Sequence, residues 1–157
     1  MPDLAVHVCA AIVAGKAVRG PAGRAVFYLG NCLPDLADKG LRAGALSPVD
    51  FTEVTHTPFG IACIAYASAM LFEERWRARA FRLLAAGALC HVAMDAMKSY
   101  LGRGAILWLF PFSLQRHEFG WFPPETSTAA LLPWALGAAL AAEALAYLWG
   151  SWSRRAR

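Results

Sequence analysis

His91 and Asp95 stand four residues apart in an apolar stretch. On a helix that spacing puts both side chains on one face, a turn apart, where they can ligate one metal ion together. A lone pair of this kind also reads as a histidine hydrogen-bonded to a carboxylate, so the pair needs company to mean more. Thr55-His56-Thr57-Pro58 supplies a second histidine at a helix entrance, Leu33-Pro34-Asp35 a carboxylate at the mouth of a loop, and His7 lies on an early helix whose other residues are nearly all apolar. Three of the four histidines and two carboxylates therefore fall where a water-poor bundle tolerates them only if they meet. A mixed imidazole and carboxylate set suits Zn, Mn or Fe rather than a calcium cage or a thiolate site. Held by three or four such groups with one position open, a divalent ion acidifies water and acts as a Lewis acid, which is the chemistry of hydrolysis. Asp38, three residues after Asp35, is a candidate general base or acceptor for a histidine N–H, with a loop cap paired to Lys39 or Arg42 as its structural alternative. Lys39, Arg42 and Arg116 are candidate phosphate contacts that read first as solvated surface, and His117 reads as a loop residue beside Arg116.

The elements that must position these groups are helical. Asp3 is a plausible N-cap for a helix through LAVHVCAAIVAGKAVRG, which Gly20-Pro21 stops. Residues 24–33 form a short apolar arm ending at Pro34-Asp35, where PDLADKGLRAGALSPVD reads as a polar loop with a short helix begun by Ser47-Pro48. Thr55 or Thr57 caps a helix through PFGIACIAYASAMLF that runs to the charged segment EERWRARAFR, and a further helix covers about Arg79 to Leu101, broken by Gly102 and Gly104. The aromatic residues of AILWLFPFS and QRHEFGWFPPETS predict an ordered loop, and a final helix from about Ser127 to Trp149 has the length and apolarity of a membrane span. The expected fold is all-α: an integral membrane bundle of four to five helices in a single domain over residues 1–157, the first two helices short and an ordered loop after the fourth.

Of the 157 residues, 58% are hydrophobic and only 17% charged, which excludes a disordered chain and makes the membrane the first environment to consider. The net charge of +4 is spread through apolar runs, and no basic stripe interleaved with aromatics marks a nucleic-acid groove. Cys9, Cys32, Cys63 and Cys90 lie singly within apolar runs, never as CxxC, so they read as buried thiols rather than zinc or redox ligands. The N-terminus lacks a basic n-region and is not read as a cleaved signal peptide. The final helix, and with less margin residues 57–72, satisfies a spanning test. Three basic clusters (Lys16, Arg19, Arg24; Arg75, Arg77, Arg79, Arg82; Arg154, Arg155, Arg157) alternate with the polar loops, and the positive-inside rule places them on the cytoplasmic side. His7, Asp35, His56, His91 and Asp95 then fall towards the outer half, although the charge argument did not use them. Trp108, Trp121, Trp149, Phe119 and Phe122 read as an interfacial aromatic belt.

In order and spacing these motifs resemble the membrane-bound metal-dependent hydrolases, also described as LexA-binding, inner-membrane-associated hydrolases, which are similar in motif order to zinc-dependent phospholipase C. The resemblance runs over about residues 4–127. It rests on His7, on Gly30-Asn31-Cys32-Leu33-Pro34-Asp35-Leu36-Ala37-Asp38-Lys39, on Thr55-His56-Thr57, on Cys90-His91 to Asp95, and on Pro111-Phe112-Ser113. It implies a helical bundle with a metal site of Asp35, His56, His91 and Asp95, and His7 near a second, weaker position sharing Asp95. The segment AMKSYLG after Asp95 lacks the further histidine of the three-metal phospholipases, so one or two ions are expected.

The function expected is a multi-pass inner-membrane hydrolase, C-terminus cytoplasmic and metal site towards the non-cytoplasmic side. It would cut a phosphoester or related ester bond of a lipid or other amphiphile with a divalent metal, Zn before Mn or Fe, and with Asp35 and Asp38 in the catalytic set. Membrane lipid is the expected partner, nucleic acid is not, and the LexA-binding label leaves room for a protein partner. Two other classes remain: a non-enzymatic scaffold or regulator with a structural His/Asp cluster, and a small transporter or proton relay built on His91, Asp95 and Glu143.

Overall fold

The computed structural model describes residues 4–43, 52–97, 106–121 and 128–155. Its helices are α1 (Leu4–Gly15), α2 (Pro21–Ala43), the single turn α3 (Thr52–Thr55), α4 (Pro58–Ala69), α5 (Glu74–Ala96) and α6 (Thr128–Arg155). The Gly20-Pro21 turn forms as expected: Gly20 takes a positive φ of 82°, costly for a residue with a Cβ, and Pro21 opens α2. Asp3, Ser47-Pro48, Gly102 and Gly104 lie outside the described residues.

Three expectations are corrected. The arm expected to end at Pro34 is a helix of 23 residues that carries Pro34 in its interior. Proline removes only its own N–H, here the one that would bond the Gly30 carbonyl, and the buried face continues past it through Asp38. Residues 34–43 are therefore helix rather than loop, and the second helix is not short. The segment EERWRAR does not end the preceding helix but begins α5, which starts at Glu74 after a turn at 70–73. An acidic residue in a first turn suits the positive end of the helix dipole. Finally, α4 has 12 residues, roughly 18 Å, too short to cross about 30 Å of hydrocarbon. Among the described helices only α6, over Ala130–Trp149, is long and apolar enough to cross a membrane. The cysteines also differ from expectation, since only Cys9 is buried and Cys63 is exposed.

The packing of α5 follows from two neighbouring stripes at four-residue spacing. Ala80, Leu84, Ala88, Val92 and Ala96 are all fully buried and pack in two clusters with Ile61, Ala65 and Ala69 of α4, joined by Val26 and Leu33 of α2 and by Ile106. Beside them Gly87, His91 and Asp95 form a second stripe. Small residues let the helix axes approach closely, and the closest approach is between backbones of α2 and α5. A Cβ on Gly87 would sit 2.1 Å from the Phe27 carbonyl oxygen, and one on Gly30 2.3 Å from that of Leu84. Asn31 is buried at the same crossing and donates from Nδ2 to the Gly87 carbonyl at 3.4 Å.

Chain direction sorts the charges. His7 near the start of α1 meets Asp95 near the end of α5, whereas Arg79 in the first part of α5 donates to the Arg19 carbonyl just after α1. The bundle thus has a His/Asp end and an arginine end. α6 packs only on α1 among the described elements, its less exposed positions Leu131, Ala135, Ala139 and Ala142 forming one seam, and Glu143 pairs with Lys16. The rest of α6 is bare: Trp134, Leu140, Tyr147 and Trp149 are largely exposed.

Because the atoms met at Gly87 are backbone, a methyl group there has to push α2 and α5 apart. Gly87→Ala is expected to destabilise the protein by about 2–3 kcal/mol, the range of an overpacked core. Thermal unfolding in detergent checks this, and an unchanged midpoint would mean that the helices do not touch there.

Candidate metal centre

Five side chains separated by up to 88 positions along the chain gather at the His/Asp end. Four elements aim them. α1 brings His7, α2 brings Asp35 one turn beyond the Gly30/Asn31 crossing, and α5 brings His91 one turn and Asp95 two turns beyond Gly87. His56 sits in the turn between α3 and α4, and that turn is fixed by the threonines on either side of it. Thr57 caps α4, its Oγ1 accepting the Gly60 N–H at 2.9 Å and donating to the Val54 carbonyl at 2.8 Å. Thr55 Oγ1 lies 3.1 Å from His56 Nδ1. Engaging Nδ1 leaves Nε2 as the nitrogen presented to the carboxylates, the arrangement in which histidines bind metals.

The donor atoms converge. His56 Nε2 is 3.6 Å from Asp35 Oδ1 and 3.8 Å from Asp95 Oδ2; His91 Nε2 is 3.8 Å and 3.3 Å from the same two atoms. Ordinary hydrogen bonds would close to about 2.7–3.0 Å, whereas donors held tetrahedrally about 2.0–2.1 Å from a common ion stand about 3.4 Å apart. All four separations fall nearer the second value. His7 differs, its Nε2 lying 3.0 Å from Asp95 Oδ1, the oxygen turned away from the other two rings. Its ring packs 4.2 Å from that of His91, centroid to centroid. The atoms divide into two groups with metal-ligand proximity, Asp35 with His56 and His91, and His7 with His91 and Asp95.

His7 and His91 are buried, but the Asp95 side chain is 30% exposed, so the centre opens to one side past Asp95. Electrostatics favour ionised carboxylates. The His56 imidazole holds the Asp35 carboxyl below the usual carboxylate range against the opposing effect of burial. Burial by itself would raise Asp95, and the facing imidazoles of His7 and His91 outweigh it and hold it well below that range. The two carboxylates, both only partly exposed, carry between them the charge that one divalent cation balances.

All five predicted ligands are thus brought together. Asp38 is buried one turn after Asp35 on α2, a helix position rather than the loop position expected, and is not among the grouped ligand atoms. His117 is exposed on the loop, its backbone paired with Ile106 and its carbonyl accepting from Trp108 Nε1 at 3.2 Å. Lys39 and Arg116 are exposed, and the side chain of Arg42 lies outside the described residues. Glu143 is engaged with Lys16 and does not continue a polar line from Asp95. Sequence reasoning missed Asn31 and the part Thr55 plays at His56. The signals were a lone amide in an apolar arm and a hydroxyl residue next to a candidate ligand.

Compared with protein-family models, residues 4–156 match the one described as YdjM inner membrane protein. The chain belongs to the YdjM inner membrane protein family. That match covers every helix and all five clustered side chains, so membership and the His/Asp centre concern the same stretch of chain. No curated protein and no solved structure matches the chain. Membership agrees with the bare, bilayer-length α6 and with aromatic groups near both its ends: Trp108, Phe119 and Trp121 in the loop before it, Trp149 with Trp152 towards its C-terminus.

Two outcomes follow from this geometry. Thr55→Val, which keeps shape and removes the hydroxyl, is expected to weaken zinc binding about 10–100-fold, the usual cost of losing a partner of a ligating histidine, as read by competition with a chromophoric chelator. The depressed carboxyls set the acid response of chelator-treated protein. The ordinary Asp value is about 3.9, so the stabilising effect of both groups is complete above it and is lost as pH falls towards their lowered values. Denaturation in detergent should show stability dropping below about pH 4, and Asp35→Asn should make that drop shallower.

Proposed function

We propose that this inner-membrane protein is a metal-dependent hydrolase acting on a phosphoester or related ester bond of a lipid or other amphiphile. The observation that carries the reading is the set of four donor atoms, on two helices and one turn, at separations suited to one tetrahedral ion rather than to hydrogen bonds. Asp35, His56, His91 and Asp95 would hold that ion, and His7 would hold the outer oxygen of Asp95 or join it in a second, weaker position. The residues fit zinc best: nitrogen and carboxylate donors, no thiolate among them, and a charge that one divalent cation balances. The chemistry such an ion supplies is polarisation of a phosphoryl or ester oxygen and acidification of water.

The chain's own residues supply the rest. Thr55 turns His56, and His7 fixes the orientation of Asp95. Asp38, buried on the same helix face, is assigned as the general base or as the acceptor of a ligand N–H. The exposed flank of Asp95 is the side from which substrate reaches the centre. Arg19, Arg24 and Arg75 to Arg82 lie at the end of the bundle away from this opening, so the positive-inside rule supports a cytoplasmic arginine end and C-terminus and a centre facing the non-cytoplasmic side. A second reading, a scaffold whose metal is structural, draws on the burial of His7 and His91, which are 5% and 2% exposed.

The test is elemental analysis of detergent-purified protein together with turnover of phospholipids and of simple phosphodiesters. Near-stoichiometric zinc, lost in His56→Ala, and turnover abolished in His91→Ala with thermal stability largely kept, is the expected result. Stoichiometric metal with no turnover, and a collapse of stability in His91→Ala, transfers the centre to the scaffold reading. Protein without metal after zinc has been offered ends both.

A further inference from the structure

The loop between α5 and α6 is fastened to the centre and yet turns its largest side chains outward. Two backbone hydrogen bonds between Ile106 and His117, at 3.0 and 3.1 Å, close it, and Ile106 and Leu107 are buried beneath it. The Phe119 N–H donates to the carbonyl of Ala96, the residue after Asp95, at 2.7 Å. Phe110 meets Phe59, three residues after His56, edge to face at 6.0 Å between centroids. A loop held this firmly has no need of apolar residues at its tip, but Phe112 is 94% exposed, Leu114 73% and Leu109 62%. Trp121, the last described residue of the loop, is also largely exposed. Leu36, next to Asp35, and Phe59 add exposed apolar area on the centre's own flank.

We propose that residues 109–114 of this loop insert into the leaflet that α6 enters, seating the His/Asp centre at the level of the lipid head groups. The occupant is a lipid surface rather than a protein groove. The exposed patch lies in the loop that precedes the one bilayer-length helix among the described residues, and an aromatic stack of Trp108, Phe119 and Trp121 stands in the same loop, as at membrane interfaces. The polar residues Gln115, Arg116 and Glu118 follow directly, on the returning arm, where they meet water and head groups. Seated in this way, the exposed flank of Asp95 faces a head group without the lipid leaving its leaflet. That consequence rests on the hydrolase reading; the insertion itself does not.

The experiment reads depth, not activity. The full chain in a Cys32→Ala, Cys63→Ser, Cys90→Ala background, which leaves only the buried Cys9, is reconstituted in vesicles of phosphatidylethanolamine and phosphatidylglycerol and spin-labelled at Phe112→Cys and separately at Leu114→Cys. Glu118→Cys serves as the aqueous comparison, and circular dichroism confirms the fold of each variant. Power saturation is then measured with oxygen and with a water-soluble nickel chelate. Insertion predicts that oxygen relaxes the labels at 112 and 114 several-fold more than the chelate does, with the order reversed at 118. Chelate access at all three positions overturns the proposal. So does shielding from both agents with spin–spin broadening, the signature of a second copy covering the patch. Failure of turnover in the hydrolase assays leaves this depth measurement unchanged, so the two readings fail separately.

Discussion

The centre depends on how closely two backbones approach. Gly30 of α2 and Gly87 of α5 let carbonyl oxygens occupy the space that side chains would fill, and that contact sets the separation of the two helices. Asp35 and His91 lie about one turn further along, so they inherit the separation: too wide and carboxylate and imidazole could not share a ligand, too close and neither would fit. Asn31 bonding the Gly87 carbonyl locks the register of the same crossing. The alanine and valine stripe from Ala80 to Ala96 does for α4 what the glycines do for α2. Small residues here are not filler; they allow polar groups on different helices to meet at the end of the bundle.

Bringing the groups together creates an electrostatic problem whose solutions differ in geometry. Two ionised carboxylates with little water need compensation, either by protons on the imidazoles or by a cation. An imidazole paired with one carboxylate draws in to hydrogen-bond length, as His7 does to Asp95 at 3.0 Å. His56 and His91 stay at 3.3 to 3.8 Å from both carboxylates. A set of donors in which each nitrogen faces two oxygens at similar distance is the arrangement of a shared central charge.

Much of the centre was legible because its evidence is of a kind a sequence preserves. Ionisable residues in apolar runs are conspicuous, and their cost in such surroundings implies that they converge whatever the path between them, which is why His7, Asp35, His56, His91 and Asp95 were named together. The helices were harder where a local signal conflicts with tertiary packing. Pro34 reads as a stop, but the buried face of α2 runs through Leu33 and Pro34 to Asp38, and burial outweighs one missing N–H. The start of α5 was misplaced because EERWRAR has no apolar period; it is solvated, and its helicity comes from the rest of α5. Residues 57–72 read as a span for a related reason: Ile, Ala and Cys raise their hydropathy, yet α4 has 12 residues and its buried face packs on α5. What Thr55 does for His56 and Asn31 for the crossing is not legible in the sequence, because it lies in a hydrogen bond to one atom of another residue, which no periodicity announces.

These corrections change what kind of membrane protein this is. With one bilayer-length helix among the described residues, the bundle is an assembly packed along α6 through α1, fastened by Lys16 with Glu143, rather than a ring of spans. A helix of 12 residues covers roughly 18 Å, little more than half the hydrocarbon thickness, so α1 and α4 can reach from one surface into the bilayer but not through it. α2 and α5 are long enough, but α5 carries four arginines at its start and His91 with Asp95 near its end, polar groups at both extremities and apolar residues between. That distribution keeps the arginines and the carboxylates at opposite ends of the bundle. The helices that gather the His/Asp centre are thus the same ones that hold it apart from the guanidinium groups.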